Sequence, residues 1–343
     1  MSGPLAGLHF VEMAGIGPAP FAAMMLADLG ATGIRIESPN PGLDVLVGSQ
    51  DITRRGRPVR VINAREPEGR AQILDLIEAS DVLIEGFRPG VMERLGLGPD
   101  VALERNPRLV YGRITGWGQE GPWAQRAGHD ITYIALAGVL AHMGRAGAPP
   151  TAPLNLIGDY GGGAMLLVTG ILAALWETQR SGLGQVVDAA MVDGAALMMA
   201  LMHSLRAAGA WSDERGINLL DSGAPFYDAY RTADDRWLAV GCLEPKFFAE
   251  FVRVAGLDPA YRDCQYDPSC WERMRADIER VIATRTQEQW MSDFGDLDAC
   301  VAPILTMGEA PEHEHLRARG TFIEIDGLVQ PAPAPRFSRT PAP

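Results

Sequence analysis

The chain has 343 residues, 47% hydrophobic and 21% charged, with 43 Asp and Glu against 30 Lys and Arg for a net charge of −13. Its length admits two domains and its apolar content a full core. The acidic balance excludes nucleic acid as an expected partner, whereas a phosphorylated small ligand needs only a local cationic patch.

Such a patch is offered by Arg54, Arg55, Arg57 and Arg60, with Arg65 close behind. Cys242, Cys264, Cys270 and Cys300 show no CxxC spacing and no companion histidines, so they read as reduced thiols. Met1–Ala6 lacks the charged-then-apolar pattern of a secretory signal. The most apolar window, Ala164–Trp176, is shorter than a bilayer span, and Thr340–Pro343 is no peroxisomal address. These features predict a cytoplasmic protein without a membrane span.

In chain order, Leu8–Met13 reads as a strand and Pro20–Leu29 as a helix with proline in its first turn. Gly33–Glu37 returns as a strand. The pattern repeats with a strand at Val59–Asn63, a helix over Glu66–Ala79 and a strand at Val82–Glu85. After the turn at Arg88-Pro89-Gly90 come a short helix and the strand Leu109–Ile114. Strands alternating with helices predict an α/β fold with a doubly wound parallel sheet, which binds ligands at its carboxyl edge. The turn Gly15-Ile16-Gly17-Pro18-Ala19-Pro20 lacks the third glycine of a dinucleotide fingerprint, and its prolines remove backbone donors.

From Ile131 to Ala208 the chain reads as helical and apolar, with Met198, Met199 and Met202 marking core or interface. Pro225–Gly241 reads as two strands around the turn Thr232-Ala233-Asp234-Asp235, followed by helices at Pro245–Ala255, Trp271–Thr284 and Thr286–Phe294. The expected organisation is a large domain over 1–190, a helical linker over 191–224, a small α+β domain over 225–310, and a Pro-rich segment over 311–343 returning to the large domain.

Two segments carry ionisable side chains into the start of an apolar run: Gly128-His129-Asp130-Ile131-Thr132-Tyr133 and Asn155-Leu156-Ile157-Gly158-Asp159-Tyr160. Helix starts expose unpaired N–H groups and a positive dipole end, which suit an anion beside a proton-exchanging group. His129 reads either as a surface or capping residue or as a neutral imidazole base. Asp159 reads as an N-cap that also stands beside free N–H donors. Glu244, ahead of Pro245, reads by itself as a helix-start acid. In His313-Glu314-His315 the alternate residues point apart and no third ligand lies near, so no metal site is expected.

Both ionisable segments, together with Gly241-Cys242-Leu243-Glu244-Pro245, resemble those of α-methylacyl-CoA racemases in the family III CoA-transferase (CaiB/BaiF-type) group. The resemblance covers nearly the whole chain, including Pro20–Ala31, Leu219–Tyr227 and Ala334–Pro341. It implies an interlocked homodimer that acts on an acyl-CoA substrate without a metal or other cofactor. His129, Asp159 and Glu244 would be catalytic, with Glu244 orienting the imidazole and backbone N–H groups near Asp159 holding an enolate oxygen. CoA contacts are implied for Ile62, Asn63, Ala64 and Arg65, for Gly86, Phe87, Arg88 and Arg94, and for Gly128, Asp130, Ile131, Thr132 and Tyr133. The expected activity is racemisation of 2-methylacyl-CoA; transfer of CoA through Asp159 as nucleophile, or acyl-CoA binding without catalysis, are the alternatives. Two departures bear on phosphate binding. Ser38 stands where the family often has Arg, leaving Arg35, Arg57 or Arg60 to compensate, and Asn63-Ala64-Arg65 replaces a more usual Asp-Leu-Lys.

Overall fold

The computed structural model describes residues 3–40 and 51–342. Met1, Ser2, 41–50 and Pro343 lie outside the described residues, so parts of the N-terminal and C-terminal readings are not addressed. The chain divides into two compact units: 3–40, 51–139, 153–200 and 320–342 in the first, and 140–152 with 201–319 in the second. The segment 140–152, read as part of the large domain, belongs to the second unit, and the expected linker divides after Ala200.

The first unit begins β1 (His9–Met13), α1 (Pro18–Asp28), β2 (Thr32–Glu37) and β3 (Val59–Val61). It continues α2 (Pro67–Glu78), β4 (Val82–Glu85), α3 (Val91–Arg94), α4 (Pro99–Arg105) and β5 (Val110–Thr115). Next come α5 (Asp130–Leu136), a π-helix over Leu156–Ala164, α6 (Met165–Ser181), β6 (Gln185–Ala190) and α7 (Met191–Met198). The six strands form one sheet in the order β3-β2-β1-β4-β5-β6, with every pairing parallel. β4 and β5 are buried along their whole length, as strands covered on both faces must be. The order reverses between β1 and β4, which opens a crevice at the carboxyl edge.

Strand β6 falls inside the stretch read as helical. Gly182, in the left-handed conformation at φ 79°, stops α6 three residues before it, and β6 then pairs with β5 from Val110↔Gln185 to Thr115↔Ala190. That glycine is the signal that separates strand from helix here. The π-helix and α6 run on as one 26-residue segment, Leu156–Ser181, long and apolar enough to cross a membrane by length and composition. The shorter window read from the sequence understated it. Leu167, Val168, Ile171 and Ala174 from this segment pack into the core beside Ile84, Val110 and Ile114.

Glu12 on β1 is fully buried between two arginines. Arg35, its register partner on β2, and Arg57 at 2.7 Å both donate to its carboxylate. Arg57 also donates to the Pro20 carbonyl at 3.3 Å. Arg55 binds Asp28 and reaches Gln330 at 2.9 Å and the Pro331 carbonyl at 2.6 Å. It thereby ties α1 to the terminal hairpin of β10 (Phe322–Ile325) and β11 (Leu328–Pro331), numbered after the second unit's strands. Half of the anticipated cationic patch is therefore internal structure: Arg57 cannot compensate for Ser38, and Arg55 holds chain segments together.

After α8 (Ala200–Ala207), β7 (Tyr227–Arg231), β8 (Trp237–Gly241) and β9 (Val301–Pro303) of the second unit form an antiparallel sheet in that order. It packs with α9 (Pro245–Ala255), α10 (Pro268–Ile282) and α11 (Gln287–Phe294) around Phe226, Phe248, Phe251, Trp290 and Phe294. Arg145 grips the buried Asp228 carboxylate with two bonds of 2.7 Å, and Arg275 binds the same group, which holds 140–152 in this unit.

Removing a single partner from a buried ion pair leaves an uncompensated charge, at a cost of about 3–5 kcal/mol. Glu12→Ala leaves two buried guanidinium groups facing one another and is expected to lower unfolding stability by about 3 kcal/mol or more. Urea denaturation measures it, and parent-like stability would refute the role given to Glu12.

Candidate active site

Asp159 stands fourth in the π-helix instead of capping an α-helix. The segment LIGDYGGGA tolerates this wide turn because its glycines let backbone meet backbone. A Cβ on Gly162 would lie 2.6 Å from Ala195 N, and one on Gly194 only 1.8 Å from the Gly162 carbonyl oxygen. Asn155 Nδ2 donates to the Asp159 carboxylate at 3.2 Å. The Asp159 N–H donates to Asp130 Oδ2 at 2.8 Å, so this donor is already engaged. Gly17, with φ 69°, lies so near that its Cβ would stand 3.1 Å from Asp159 Oδ2. The glycine-proline turn dismissed as a nucleotide motif is thus a wall of this site. Sequence reasoning missed Gly17; a glycine ahead of the proline that opens a helix was the available signal.

His129 is exposed at the N-cap of α5. Its N–H donates to Thr132 Oγ1 at 3.0 Å, and that hydroxyl donates to the His129 carbonyl at 2.7 Å. These bonds set the backbone and leave the imidazole at the surface of the helix start. Because Asp130 follows His129 directly and holds the Asp159 N–H, the two expected bases are mounted on touching backbone segments. Burial raises the proton affinity of Asp159, the Asp130 charge adds to it, and Asn155 and His129 oppose it.

The expected CoA contacts separate into groups. Ile62, Asn63, Ala64, Arg65 and Phe87 share a cleft of about 570 Å³ at the sheet's carboxyl edge, which Ser38, Arg35 and Arg54 also line. Arg35 is buried on Glu12, and Arg54 is bound to Glu37 at 2.8 Å, while Arg60 and Arg65 are exposed and make no ion pair among the described residues. The Phe87 N–H donates to Glu85 at 2.7 Å, and Arg113 donates to the same carboxylate at 3.1 Å. Burial nevertheless pushes Glu85 up to about 7. Gly86, Arg88 and Arg94 are exposed near this cleft without lining it. A second cavity of about 620 Å³ lies by Leu5, Ser80, Asn106 and Trp176, at the opposite strand ends, and holds none of the expected residues.

At α5, Gly128 is half-buried and Ile131 and Thr132 are exposed, but Asp130 and Tyr133 are buried. Tyr133 meets Trp117 edge-on at 4.8 Å, and burial first, then the Asp159 charge, pushes its hydroxyl up to about 12. Asp130 serves Asp159. In the second unit Glu244 is exposed at the N-cap of α9, with no side-chain cap bond. Among the described residues no group of three or more His, Cys, Asp or Glu could hold a metal ion, His313 and His315 included.

The family described as CoA-transferase family III matches residues 5–343. The human protein named α-methylacyl-CoA racemase is 43% identical over 98% of this chain and 87% of its own length. The acetyl-CoA:oxalate CoA-transferase of Acetobacter aceti is 30% identical over 96% and 88%. A crystal structure of a CaiB/BaiF family protein from Brucella suis superposes with a TM-score of 0.84 at 24% identity, covering 100% of this chain and 95% of that one. That likeness bears out the expected fold.

Gly158 is the close-approach position behind Asp159, since a Cβ there would stand 2.9 Å from Asp130 Oδ2. Gly158→Ala is expected to cost about 1–3 kcal/mol by overpacking. Thermal unfolding measures it, and an unshifted midpoint would show that the contact yields freely.

Proposed function

The chain belongs to CoA-transferase family III, and on that premise we propose that it is an α-methylacyl-CoA racemase, interconverting (2R)- and (2S)-2-methylacyl-CoA. The observation that carries this reading is the mounting of His129 and Asp159 on segments joined by the Asp130–Asp159 hydrogen bond. Two proton-exchanging groups serve a reaction in which one takes the α-proton while the other gives its own proton to the opposite face, and both then exchange with water. The thioester carbonyl spreads the charge left behind. In this reading, N–H groups in the first turn of the π-helix other than that of Asp159 receive the enolate oxygen, each such donor being worth about 3 kcal/mol. The proton leaves and returns at one carbon, so the carbon's oxidation state does not change and no redox partner is needed. The raised proton affinity of Asp159 brings it nearer the working pH for both donating and accepting.

The cleft of Ile62–Arg65 and Phe87 takes the nucleotide end of CoA in this reading, with exposed Arg60 and Arg65 facing its phosphates. Glu244 acts through His129, as the resemblance implies. A second copy of the chain covers apolar side chains exposed on the first unit, such as Leu154, Leu156 and Leu197, forming a homodimer.

The test incubates a single epimer of 2-methylacyl-CoA in D₂O and follows α-deuteration with optical inversion. His129→Ala and Asp159→Asn are each expected to slow inversion about 10²–10⁴-fold while the protein stays folded. CoA transfer predicts instead a hydroxylamine-trapped adduct at Asp159 and ping-pong kinetics, and such an adduct would displace the racemase reading. Arg65→Ala should raise KM about five-fold with kcat kept, in the range of an exposed charge contact; an unchanged KM removes Arg65 from the binding set. For Glu244→Gln the expected loss in kcat largely disappears in the His129→Ala background, because groups acting as a unit are non-additive. Full additivity would separate the two residues.

A further inference from the structure

The side chain of Asp130 has no part in the proton transfer described above, yet it is one of the few carboxylates buried in the first unit, at 3% exposure. Its Oδ2 accepts the Asp159 N–H at 2.8 Å, and its Oδ1 is buried without a hydrogen-bond partner among the described residues. Gly158 leaves room for this close approach, because any Cβ there would stand 3.0 Å from the Asp130 carboxyl carbon. A buried carboxylate held by one amide donor is poorly compensated as a structural element, and a neutral acceptor could make the same bond. The two-residue element therefore has a use beyond packing.

We infer that Asp130 is the positioning residue of the site: through the Asp159 N–H it fixes where the Asp159 carboxylate stands beside His129, and its charge acts on that carboxylate. The inference rests on the reading that Asp159 exchanges the α-proton. One end of α5 thus carries an exposed imidazole and, at the next residue, the clamp for the opposing acid. A shift in one segment moves the other with it, so this bond helps set the spacing between the two proton-exchanging groups.

The groups facing Asp159 are few. From α5 come His129, Asp130 and the buried Tyr133 hydroxyl. From the lead into the π-helix comes Asn155. From the α1 side come Gly17 and the Phe21 ring, which stacks on Tyr160 at 4.2 Å. α7 meets the π-helix through Met191, Gly194, Ala195 and Met198, and β5 through Ile114, none of them titratable. Asp130 is the negative charge among them. Removing it lowers the proton affinity of Asp159, so any activity limb governed by Asp159 moves to lower pH.

The experiment compares Asp130→Asn and Asp130→Ala in the full-length protein. Amide exchange over 156–160 should quicken about tenfold or more in the alanine variant, the loss of one buried hydrogen bond, and stay within about twofold in the asparagine variant, which keeps an acceptor. The ¹³C titration of the Asp159 carboxylate should move down by about half a pH unit or more in Asp130→Asn. In turnover, Asp130→Ala should lose about tenfold in kcat with KM within about twofold. Asp130→Asn should recover rate while its acidic limb moves to lower pH. Unchanged exchange in the alanine variant, or an unmoved Asp159 titration in the asparagine variant, overturns the inference. Should Asp130→Ala fail to fold, the titration of Asp130→Asn decides alone. A parent protein that does not deuterate 2-methylacyl-CoA defeats the racemase reading, while the exchange and titration arms still judge the clamp.

Discussion

The hydrogen bond from the Asp159 N–H to the Asp130 carboxylate, 2.8 Å long, is the constraint on which the site depends. Its two ends lie 29 residues apart in sequence, one at the opening of a short α-helix and the other inside a π-helix. Each segment alone presents an ionisable group at a helix start, as many segments do. Joined, they face a common space with Gly17 behind the acid and an exposed histidine beside it. π-Helical turns are rare and recur at functional sites because they displace a side chain from its regular place on the helix. Here the glycines at 158 and 161–163 permit the displacement, and α7 packs its own Gly194 into the result.

Beneath that site the sheet carries its own electrostatic frame. Glu12 with Arg35 and Arg57, and Glu85 with Arg113, place charged groups at the carboxyl ends of β1, β2, β4 and β5 without leaving them unpaired. The frame explains why so few of the nearby arginines are available to a ligand. Arg57 and Arg35 are spent on Glu12, Arg55 on α1 and the terminal hairpin, and Arg54 on Glu37. Arg60 and Arg65 on the outer edge, together with Arg88 and Arg94 beside the cleft, are exposed arginines. A substrate with several phosphates therefore meets a surface whose cations are set at its rim.

Much of the fold is legible in the sequence. The alternation of strands and helices over the first 115 residues marks a parallel sheet because buried strands and amphipathic helices have different periods. Strand β6 is lost in a helical apolar block, since its residues show no apolar–polar alternation that would stand out from the helix before it. The third strand of the second unit escapes because it is three residues long. The partners of Asp130 and Tyr133 are not legible in the sequence, because adjacency to His129 does not reveal that α5 turns both side chains inward.

Local chemistry alone marks His129 and Asp159, because a histidine or acid at a glycine-led helix start is a pattern of neighbours in the chain. The family is legible on the same ground, as a run of short motifs spread over nearly all of the chain. Tertiary structure decides what sequence neighbours cannot: which arginines are buried by partners 20 or more residues away, that Gly17 backs the Asp159 carboxylate, and that one carboxylate joins the two bases. Those outcomes depend on which backbone atoms the parallel sheet brings within hydrogen-bond distance. That distance is a property of packing between elements and leaves no trace in the spacing along any one of them.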